Sequence, residues 1–310
     1  MKNIFLIGIG GIGMSALARY FLHEGKRVAG YDRTRTPLTE ELEREGARIQ
    51  YSDDPNLIPI AFKESEYSAL VVYTPAVGND CKVLDYFRKN RNRVVKRAQA
   101  LGVIAADKRL LAVAGTHGKT SVSTMLAHIL TEVGTGCSAF MGGISKNYNS
   151  NLLLAKNNLL VAEADEYDRS FLQLFPEVMV VTSVDPDHLD IYGNIGELRK
   201  AFKDFINQLK PRGALIINKR YAAKDRPSFM QYFDKKMYTY AVGEPADFYA
   251  DSLASAGNGY YTFDLHTPGG VVRECTLGAP GRINVENAVA AAVVVTVIGG
   301  IIYEIPRVLP

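Results

Sequence analysis

The stretch Leu110-Leu-Ala-Val-Ala-Gly-Thr-His-Gly-Lys-Thr-Ser121 decides how this chain is expected to fold. Its first five residues form an apolar run with strand propensity, and Gly115 and Gly118 then open a turn that leads into Lys119. Apolar residues recur at helical spacing over residues 126–133, which predicts a helix after the turn. A strand, a glycine-rich turn and a helix N terminus in this order typically bind phosphate through backbone N–H groups. The stretch therefore predicts a nucleotide-phosphate loop in an α/β domain, with Lys119 facing solvent.

This loop departs from the common nucleoside-triphosphate pattern, which has four residues between its glycines. Here only Thr116 and His117 separate Gly115 from Gly118. A Gly-Lys-Thr tripeptide alone is frequent by chance, so the prediction depends on the strand before it and the helix after it. In such a loop the lysine ammonium reaches the outer phosphates and the hydroxyl of Thr120 can ligate Mg²⁺.

A second glycine-rich turn lies near the N terminus. Residues 3–8 have the pattern of a buried strand, and Gly8-Ile-Gly10-Gly11-Ile-Gly13 then matches G-x-G-x-x-G. A helical pattern and a second strand ending at Asp32 follow, which is the order of a dinucleotide-binding β-α-β unit. The glycines could instead serve only the close packing of a helix on a strand. Further alternation of strands and helices predicts a doubly wound, Rossmann-like parallel domain over residues 1–107.

A second α/β domain of the P-loop ATPase type is predicted over residues 108–310. Shorter alternating runs between residues 237 and 277, separated by Gly and Pro, predict a small β-rich annex, and the apolar run 288–302 predicts a buried helix. The other strands are expected at 110–114, 159–163, 178–182 and 214–218, and helices near 118–133 and 195–209.

Two acidic clusters follow predicted strands of this second domain. Glu163-Ala-Asp-Glu-Tyr-Asp168 comes after one strand, and Asp185-Pro-Asp-His-Leu-Asp190 comes after the next. Ligands of open α/β sheets bind at the carboxyl ends of the strands. Clustered carboxylates repel one another unless a cation offsets their charge. A site for Mg²⁺ and a nucleotide is therefore expected here, with a solvated acidic turn and a structural His188 as the simpler alternatives.

The segment before the last predicted helix contains two asparagines, Asn284 and Asn287. Their amides offer the donor and acceptor that an adenine edge requires. On physical grounds alone, a helix cap at Asn284 is the simpler explanation.

Composition excludes several other classes. The formal net charge of +3 gives no reason to expect nucleic acid or a membrane surface as a partner. The three cysteines, Cys81, Cys137 and Cys275, are far apart, so neither a disulfide framework nor a zinc site is indicated. The N-terminal apolar stretch lacks a signal cleavage site, and the longest apolar run is too short to span a membrane. We therefore expect a cytoplasmic protein of unknown oligomeric state.

Four motifs in one order resemble those of the ATP-dependent Mur ligases of peptidoglycan synthesis. The N-terminal Gly-Ile-Gly-Gly-Ile-Gly-Met-Ser, with Tyr31-Asp32, is most similar to the members that join L-alanine to UDP-N-acetylmuramate. The members that ligate recycled murein peptides share one of the motifs. The four motifs are Gly-Thr-His-Gly-Lys-Thr at 115–120, Glu-Ala-Asp-Glu-Tyr-Asp at 163–168, Asp-His-Leu-Asp at 187–190 and Ala-Pro-Gly-Arg-x-Asn-x-x-Asn at 279–287.

The resemblance implies roles for individual residues. Lys119 would contact the β- and γ-phosphates of ATP, Thr120 and Glu163 would hold one Mg²⁺ or Mn²⁺, and His188 would help to hold a second. The catalytic group would thus be Lys119, Glu163 and His188. The implied ATP-binding residues are Gly115, Thr116, His117, Gly118, Lys119, Thr120, Ser121, Asn284 and Asn287. The implied UDP-sugar site comprises Gly8, Gly10, Gly11, Gly13, Asp32, Thr74, Pro75, Ala76 and Arg97.

The implied reaction is phosphorylation of the lactyl carboxylate of UDP-N-acetylmuramate by ATP, followed by attack of L-alanine on the acyl phosphate. Family members carry a third, C-terminal domain for the amino acid, and this sequence is expected to lack it and to turn over little. A murein peptide ligase and a non-catalytic binder of UDP-sugar and nucleotide remain alternatives. A nicotinamide dehydrogenase would account for the first domain alone.

Overall fold

The computed structural model describes residues 2–63, 69–78, 80–222 and 235–299, which form two compact units. The first unit comprises Met1–Ile104 and Gly142–Leu152, and the second comprises Ala105–Met141 and Leu153–Pro310. Residues 142–152, which the sequence analysis assigned to the second domain, pack with the first unit, and the predicted domain bounds of 1–107 and 108–310 stay a prediction. The end of the predicted helix 288–302 lies outside the described residues.

Strands and helices alternate along the first unit, as predicted. The observed elements are β1 Asn3–Ile7, α1 Ile12–His23, β2 Arg27–Tyr31, α2 Pro37–Arg44, β3 Arg48–Gln50, β4 Ala69–Tyr73, α3 Lys82–Lys89, β5 Arg93–Lys96 and α4 Arg97–Ala105.

The strands of this unit form one parallel sheet in the order β3-β2-β1-β4-β5. The strand order reverses between β1 and β4, and such a reversal opens a crevice at the carboxyl edge of a doubly wound sheet. The G-x-G-x-x-G turn follows β1 and therefore lies at this crevice. The predicted Rossmann-like class is confirmed.

Both faces of this sheet are buried. Phe5 lies in one apolar cluster with Phe87 of α3, and their ring centroids are 4.8 Å apart. Ile4 and Leu6 alternate to the opposite face and are also buried. Because apolar side chains anchor β1 from both sides, the turn that follows it starts from a fixed position.

The buried side-chain amide of Asn151 holds residues 142–152 to α1. Asn151 is fully buried, and its Nδ2 donates to the carbonyl of Ile12 at 2.6 Å and to the hydroxyl of Ser15 at 2.8 Å. Its Oδ1 accepts from Arg19 at 2.6 Å. Arg19 also pairs with Glu41 of α2 at 2.8 Å. These bonds explain why residues distant in sequence join the first unit.

After α4, strands and helices alternate along the chain up to a final buried helix. They are β6 Arg109–Ala114, α5 Lys119–Glu132, β7 Ser138–Ser145, β8 Ser150–Leu153, β9 Leu159–Glu163, β10 Val178–Val181, α6 Leu189–Tyr192, α7 Ile195–Asn207, β11 Ala214–Asn218, β12 Lys236–Val242, β13 Phe248–Gly257, β14 Tyr260–Thr267, β15 Gly270–Thr276 and α8 Arg282–Val297.

The second sheet has the order β15-β14-β13-β12-β11-β10-β6-β9-β7-β8. The pairs from β13 to β7 are parallel, whereas β13 to β15 form an antiparallel meander. The predicted β-rich annex therefore continues the main sheet from β11. β6 has β10 and β9 as neighbours, so the loops that follow these three strands lie side by side.

Apolar side chains of α5 and α8 cover one face of the second sheet. Leu111 and Val113 share a cluster with Leu126 of α5 and Val289 of α8. Every residue from Asn287 to Val295 is buried, which accounts for the apolar composition of the last helix. Within the described ranges, no helix is both long and apolar enough to cross a membrane.

Candidate functional site

The loop between β6 and α5 has a conformation that depends on its two glycines. Gly115 has φ of +134° and Gly118 has φ of +83°, in the left-handed region that L side chains rarely adopt. A Cβ added at Gly115 would lie 2.8 Å from the backbone nitrogen of Ser183, and one at Gly118 would lie 2.7 Å from Oδ1 of Asn287. The glycines therefore permit both the turn and the close approach of neighbouring segments.

The two residues between the glycines are fastened to the end of the neighbouring strand β10. The hydroxyls of buried Thr116 and Ser183 are 2.9 Å apart, and the Ser183 hydroxyl accepts from the N–H of His117 at 2.8 Å. The hydroxyl of Thr182 donates to the carbonyl oxygen of His117. Asp185 N–H donates to Thr116 Oγ1 at 3.1 Å. The sequence analysis missed these hydrogen bonds, although the polar pair Thr182-Ser183 directly after an adjacent strand was a usable signal.

The N terminus of α5 faces out of this loop. Gly118 is the N-cap residue, and no side chain in the described part of the chain caps the helix. Thr120 is exposed and Ser121 is half-buried in its first turn. Uncapped N–H groups and the positive end of the helix dipole favour an anion at this position.

Lys119 is bound on the inner side of the loop. Its Nζ donates to the carbonyl oxygen of Gly115 at 2.7 Å and to both carboxylate oxygens of Glu166 at 2.9 Å. The side chain of Lys119 is 17% exposed, whereas that of Glu166 is fully buried. The expectation of a solvent-facing Lys119 is therefore wrong, because a buried carboxylate draws the ammonium inward. Burial raises the pKa of Glu166 above its ordinary value, and the ammonium offsets part of this effect.

His188 lies on the other side of the same carboxylate. Its Nε2 is 3.7 Å from Oε1 of Glu166, and its Nδ1 is 3.8 Å from Oδ1 of Asp187. One ligand atom from each of these three residues can be chosen so that all lie within 4.8 Å of one another. Two carboxylate oxygens and an imidazole nitrogen fit a divalent cation such as Mn²⁺ or Mg²⁺.

The other predicted metal ligands lie around Ser123 of α5. The Ser123 hydroxyl contacts the carbonyl oxygen of Thr120 at 3.1 Å and Oε1 of Glu163 at 3.2 Å. Glu163 is half-buried at the end of β9. The metal set of Thr120, Glu163 and His188 stays a prediction, whereas Glu166 and Asp187 are additional donors that it did not include.

The two asparagines of α8 lie inside its first turns. The helix begins at Arg282 with Gly281 as N-cap, so the prediction of a cap at Asn284 is wrong. Asn284 Nδ2 instead donates to the carbonyl oxygen of Pro280 at 2.7 Å, and its Oδ1 accepts from Asn287 at 3.1 Å. Asn287 is buried and lies against Gly118 of the phosphate loop. The adenine contact of both amides stays a prediction.

A separate cavity of about 380 Å³ lies at the glycine-rich turn of the first unit. Gly8, Gly11, Asp32, Thr74 and Ala76, which the sequence analysis assigned to the UDP-sugar site, line this cavity. Their binding of a ligand stays a prediction. Asp32 shapes the turn, since its carboxylate accepts from Gly10 N–H at 2.8 Å.

The remaining predicted residues lie near this turn. Gly13 lies against Arg97, and a Cβ added at Gly13 would overlap the Arg97 guanidinium. Pro75 is exposed in the turn after β4. The lining of the cavity does not include Gly10, Gly13, Pro75 or Arg97, so the role of these four residues in ligand binding stays a prediction.

Asp53 and Cys81 also line the cavity, and sequence reasoning missed both. The Asp53 carboxylate accepts from the N–H groups of Lys82 and Val83, both at 2.9 Å, at the N terminus of α3. Burial opposes ionisation of Asp53, but these N–H groups hold its pKa below the ordinary value. An acidic residue just after β3 was the available signal, since carboxylates are favourable near helix N termini.

Two family models match most of the chain. One is described as the Mur ligase family, catalytic domain, and matches residues 3–109. The other is described as the Mur ligase middle domain and matches residues 113–295.

Individual relatives agree with these matches. A UDP-N-acetylmuramate–L-alanine ligase of Porphyromonas gingivalis is 48% identical over 98% of this chain, and the chain spans 66% of the length of that relative. The crystal structure of a UDP-N-acetylmuramate–alanine ligase from Thermotoga maritima has a TM-score of 0.84 at 26% identity, covering 100% of this chain and 68% of that one.

A second solved structure is similar in fold. A UDP-N-acetylmuramate:L-alanyl-γ-D-glutamyl-meso-diaminopimelate ligase from Neisseria meningitidis has a TM-score of 0.87 at 23% identity, covering 100% of this chain and 97% of that one. Identity at this level concerns the fold alone.

Proposed function

Because the chain belongs to the Mur ligase family, we propose that it serves in the ATP-dependent joining of L-alanine to UDP-N-acetylmuramate during peptidoglycan synthesis. The similarity to a curated L-alanine ligase over nearly the whole chain supports this choice over a murein peptide ligase. The observation that carries the proposal is the uncapped N terminus of α5 behind Gly115 and Gly118, with Lys119 beside it.

The proposed ATP site is the loop of residues 115–121 together with the first turns of α8. The N–H groups of the loop and of α5 would hold the β- and γ-phosphates, and Lys119 would neutralise their charge. Asn284 and Asn287 would meet the adenine, since Asn287 already lies against Gly118.

The proposed UDP-sugar site is the cavity of the first unit. Its glycines let a diphosphate approach the backbone between β1 and α1 closely. Asp32 and Asp53 keep the surrounding turns in place through backbone N–H groups.

The chemistry proceeds in two steps. An oxygen of the lactyl carboxylate attacks the γ-phosphorus of ATP, and ADP leaves with the electron pair of the broken bond. The amine of L-alanine then attacks the acyl carbon, and phosphate leaves the tetrahedral intermediate while the amine loses a proton. A carboxylate alone is a poor electrophile, so phosphorylation supplies the leaving group. The residues of this chain contribute positioning and charge neutralisation.

A divalent cation would supply further neutralisation of the transferred phosphoryl group. Thr120, Glu163, Glu166, Asp187 and His188 are the residues that would hold such ions. A cytoplasmic location is part of the proposal, because the cysteines of the described segments are all free thiols, as is usual in a reducing compartment.

Calorimetric titration tests the proposal directly. The protein should bind UDP-N-acetylmuramate and a non-hydrolysable ATP analogue in the presence of Mg²⁺. UDP-N-acetylglucosamine, which lacks the lactyl carboxylate, is the matched control ligand, and NADH is the control for a dehydrogenase. Heat with NADH, or no heat with either proposed ligand, would refute the assignment. Phosphate release that increases on addition of L-alanine, and not of a murein tripeptide, would identify the acceptor.

A further inference from the structure

The ammonium group of Lys119 has no unused donor in the structure. A lysine has three N–H donors. One contacts the carbonyl oxygen of Gly115 at 2.7 Å, and the others match the two oxygens of Glu166 at 2.9 Å. For Lys119 to donate to a phosphate, at least one of these contacts must be given up.

Glu166 cannot lose this partner without a replacement. Its side chain is fully buried, so water does not take over when the ammonium leaves. A buried carboxylate that loses its counter-charge must gain a proton or another cation, because an uncompensated buried charge is strongly unfavourable. The hydrogen bond of Tyr192 goes to the backbone carbonyl of Glu166 and does not satisfy the carboxylate.

Within the described residues, the neighbours of Glu166 supply the ligands for one such cation, a divalent ion held by Glu166, Asp187 and His188. Oε1 of Glu166 lies 3.7 Å from Nε2 of His188, and Asp187 brings a second carboxylate within the same 4.8 Å group. Two carboxylates and an imidazole have the donor types and spacing for a divalent cation. Glu166 is the one residue shared by the lysine pair and this group.

We propose that Glu166 exchanges partners, passing from the Lys119 ammonium to a divalent cation shared with Asp187 and His188 when nucleotide phosphates take up Lys119. This inference rests on the proposed function, since it requires that the loop binds a nucleotide. Glu166 is then a positioning residue that connects cation binding to nucleotide binding. By linkage, the cation must tighten nucleotide binding by the same factor as the nucleotide tightens cation binding.

The test measures this linkage in the whole protein. The dissociation constant of a non-hydrolysable ATP analogue is determined by calorimetry in excess chelator and in saturating Mn²⁺. The ratio of the two constants is compared between the parent, Glu166→Gln and Asp165→Asn. Asp165 is the matched control, because it lies in the same acidic turn and its replacement also removes one negative charge.

In Glu166→Gln the ratio of the dissociation constant in chelator to that in Mn²⁺ should fall at least tenfold. A neutral amide does not hold the Lys119 ammonium electrostatically, and it needs no cation when Lys119 leaves. In chelator alone this variant should bind the analogue more tightly than the parent. In Asp165→Asn the ratio should stay within threefold of the parent value. Electron paramagnetic resonance should show that Glu166→Gln binds Mn²⁺ more weakly than the parent does when the analogue is present.

An unchanged ratio in Glu166→Gln would overturn the exchange while leaving the proposed function intact. Failure of the parent to bind the analogue under any condition would overturn both. If Glu166→Gln does not fold, Asp187→Asn replaces it, because it leaves the Lys119–Glu166 pair in place and removes one cation ligand. A parent-like ratio in Asp187→Asn would then overturn the proposal.

Discussion

Replacing Lys119 with methionine should destabilise the second unit even when no nucleotide is present. The substitution keeps the length of the side chain and removes the ammonium that pairs with Glu166 at 2.9 Å. Glu166 is then left as a buried carboxylate without a counter-charge. The double variant Lys119→Met with Glu166→Gln removes both charges and should recover most of the lost stability.

The size of the effect follows from the burial of the pair. Removing one partner of a buried ion pair costs about 3–5 kcal/mol. Lys119 retains 17% side-chain exposure, so solvent partly screens the pair. We therefore expect a loss at or just below the lower end of this range, about 2–3 kcal/mol. For a unit of this size, this corresponds to a fall in Tm of roughly 4–12 °C.

Thermal and urea unfolding, followed by circular dichroism in chelator without nucleotide, measures this difference. Lys200→Met is the control, since Lys200 is an exposed lysine on α7. The reasoning fails if Lys119→Met unfolds with the parent, or if the double variant is as unstable as the single one. The first result would mean that the Lys119–Glu166 pair contributes no net stabilisation, and the second that the lost stability does not come from the unpaired charge of Glu166.

Three further predictions concern the first unit. Asp53→Asn should lower the free energy of unfolding by about 1–2 kcal/mol at neutral pH, because it weakens the cap of α3. Since folding lowers the pKa of Asp53, the stabilisation by its carboxylate is complete above the ordinary pKa of 3.8 and is lost as the pH falls below that value. The stabilities of parent and variant should therefore converge in acid unfolding. Gly13→Ala should weaken UDP-N-acetylmuramate binding by displacing Arg97, whereas ATP-analogue binding should not change in calorimetry. Asn151→Ala should cost about 1–3 kcal/mol in urea unfolding, because the carbonyl of Ile12 and the guanidinium of Arg19 lose a buried partner, and a parent-like midpoint would contradict this.

The parallel strands were the most predictable part of the fold. A strand buried on both faces needs a continuous apolar run, and the strand expected at 159–163 matches β9. β7 was missed because Gly142 and Gly143 interrupt its pattern, and β13 was missed because small and polar residues such as Ser252 and Ser255 replace its apolar alternation.

The acidic turn shows what sequence could not supply about the site. The sequence places several carboxylates after β9 but does not reveal which of them turns inward. Two residues of this turn, Asp168 and Arg169, have positive φ of 52° and 55°, a local backbone path that no periodicity predicts. Glu163 was therefore preferred by motif, whereas burial identifies Glu166 as the partner of Lys119.

The buried amide of Asn151 has a consequence for the order in which this chain can acquire its structure during synthesis. The first unit depends on a contact between Arg19 and a residue 132 positions later. While the ribosome is still translating the codons before position 151, α1 has been made but its partner has not. By then β6 and α5 have already been synthesised. The N-terminal unit therefore cannot complete these hydrogen bonds before β6 and α5 have been synthesised, and a pause in translation just after residue 107 would present chaperones with a first unit that lacks them.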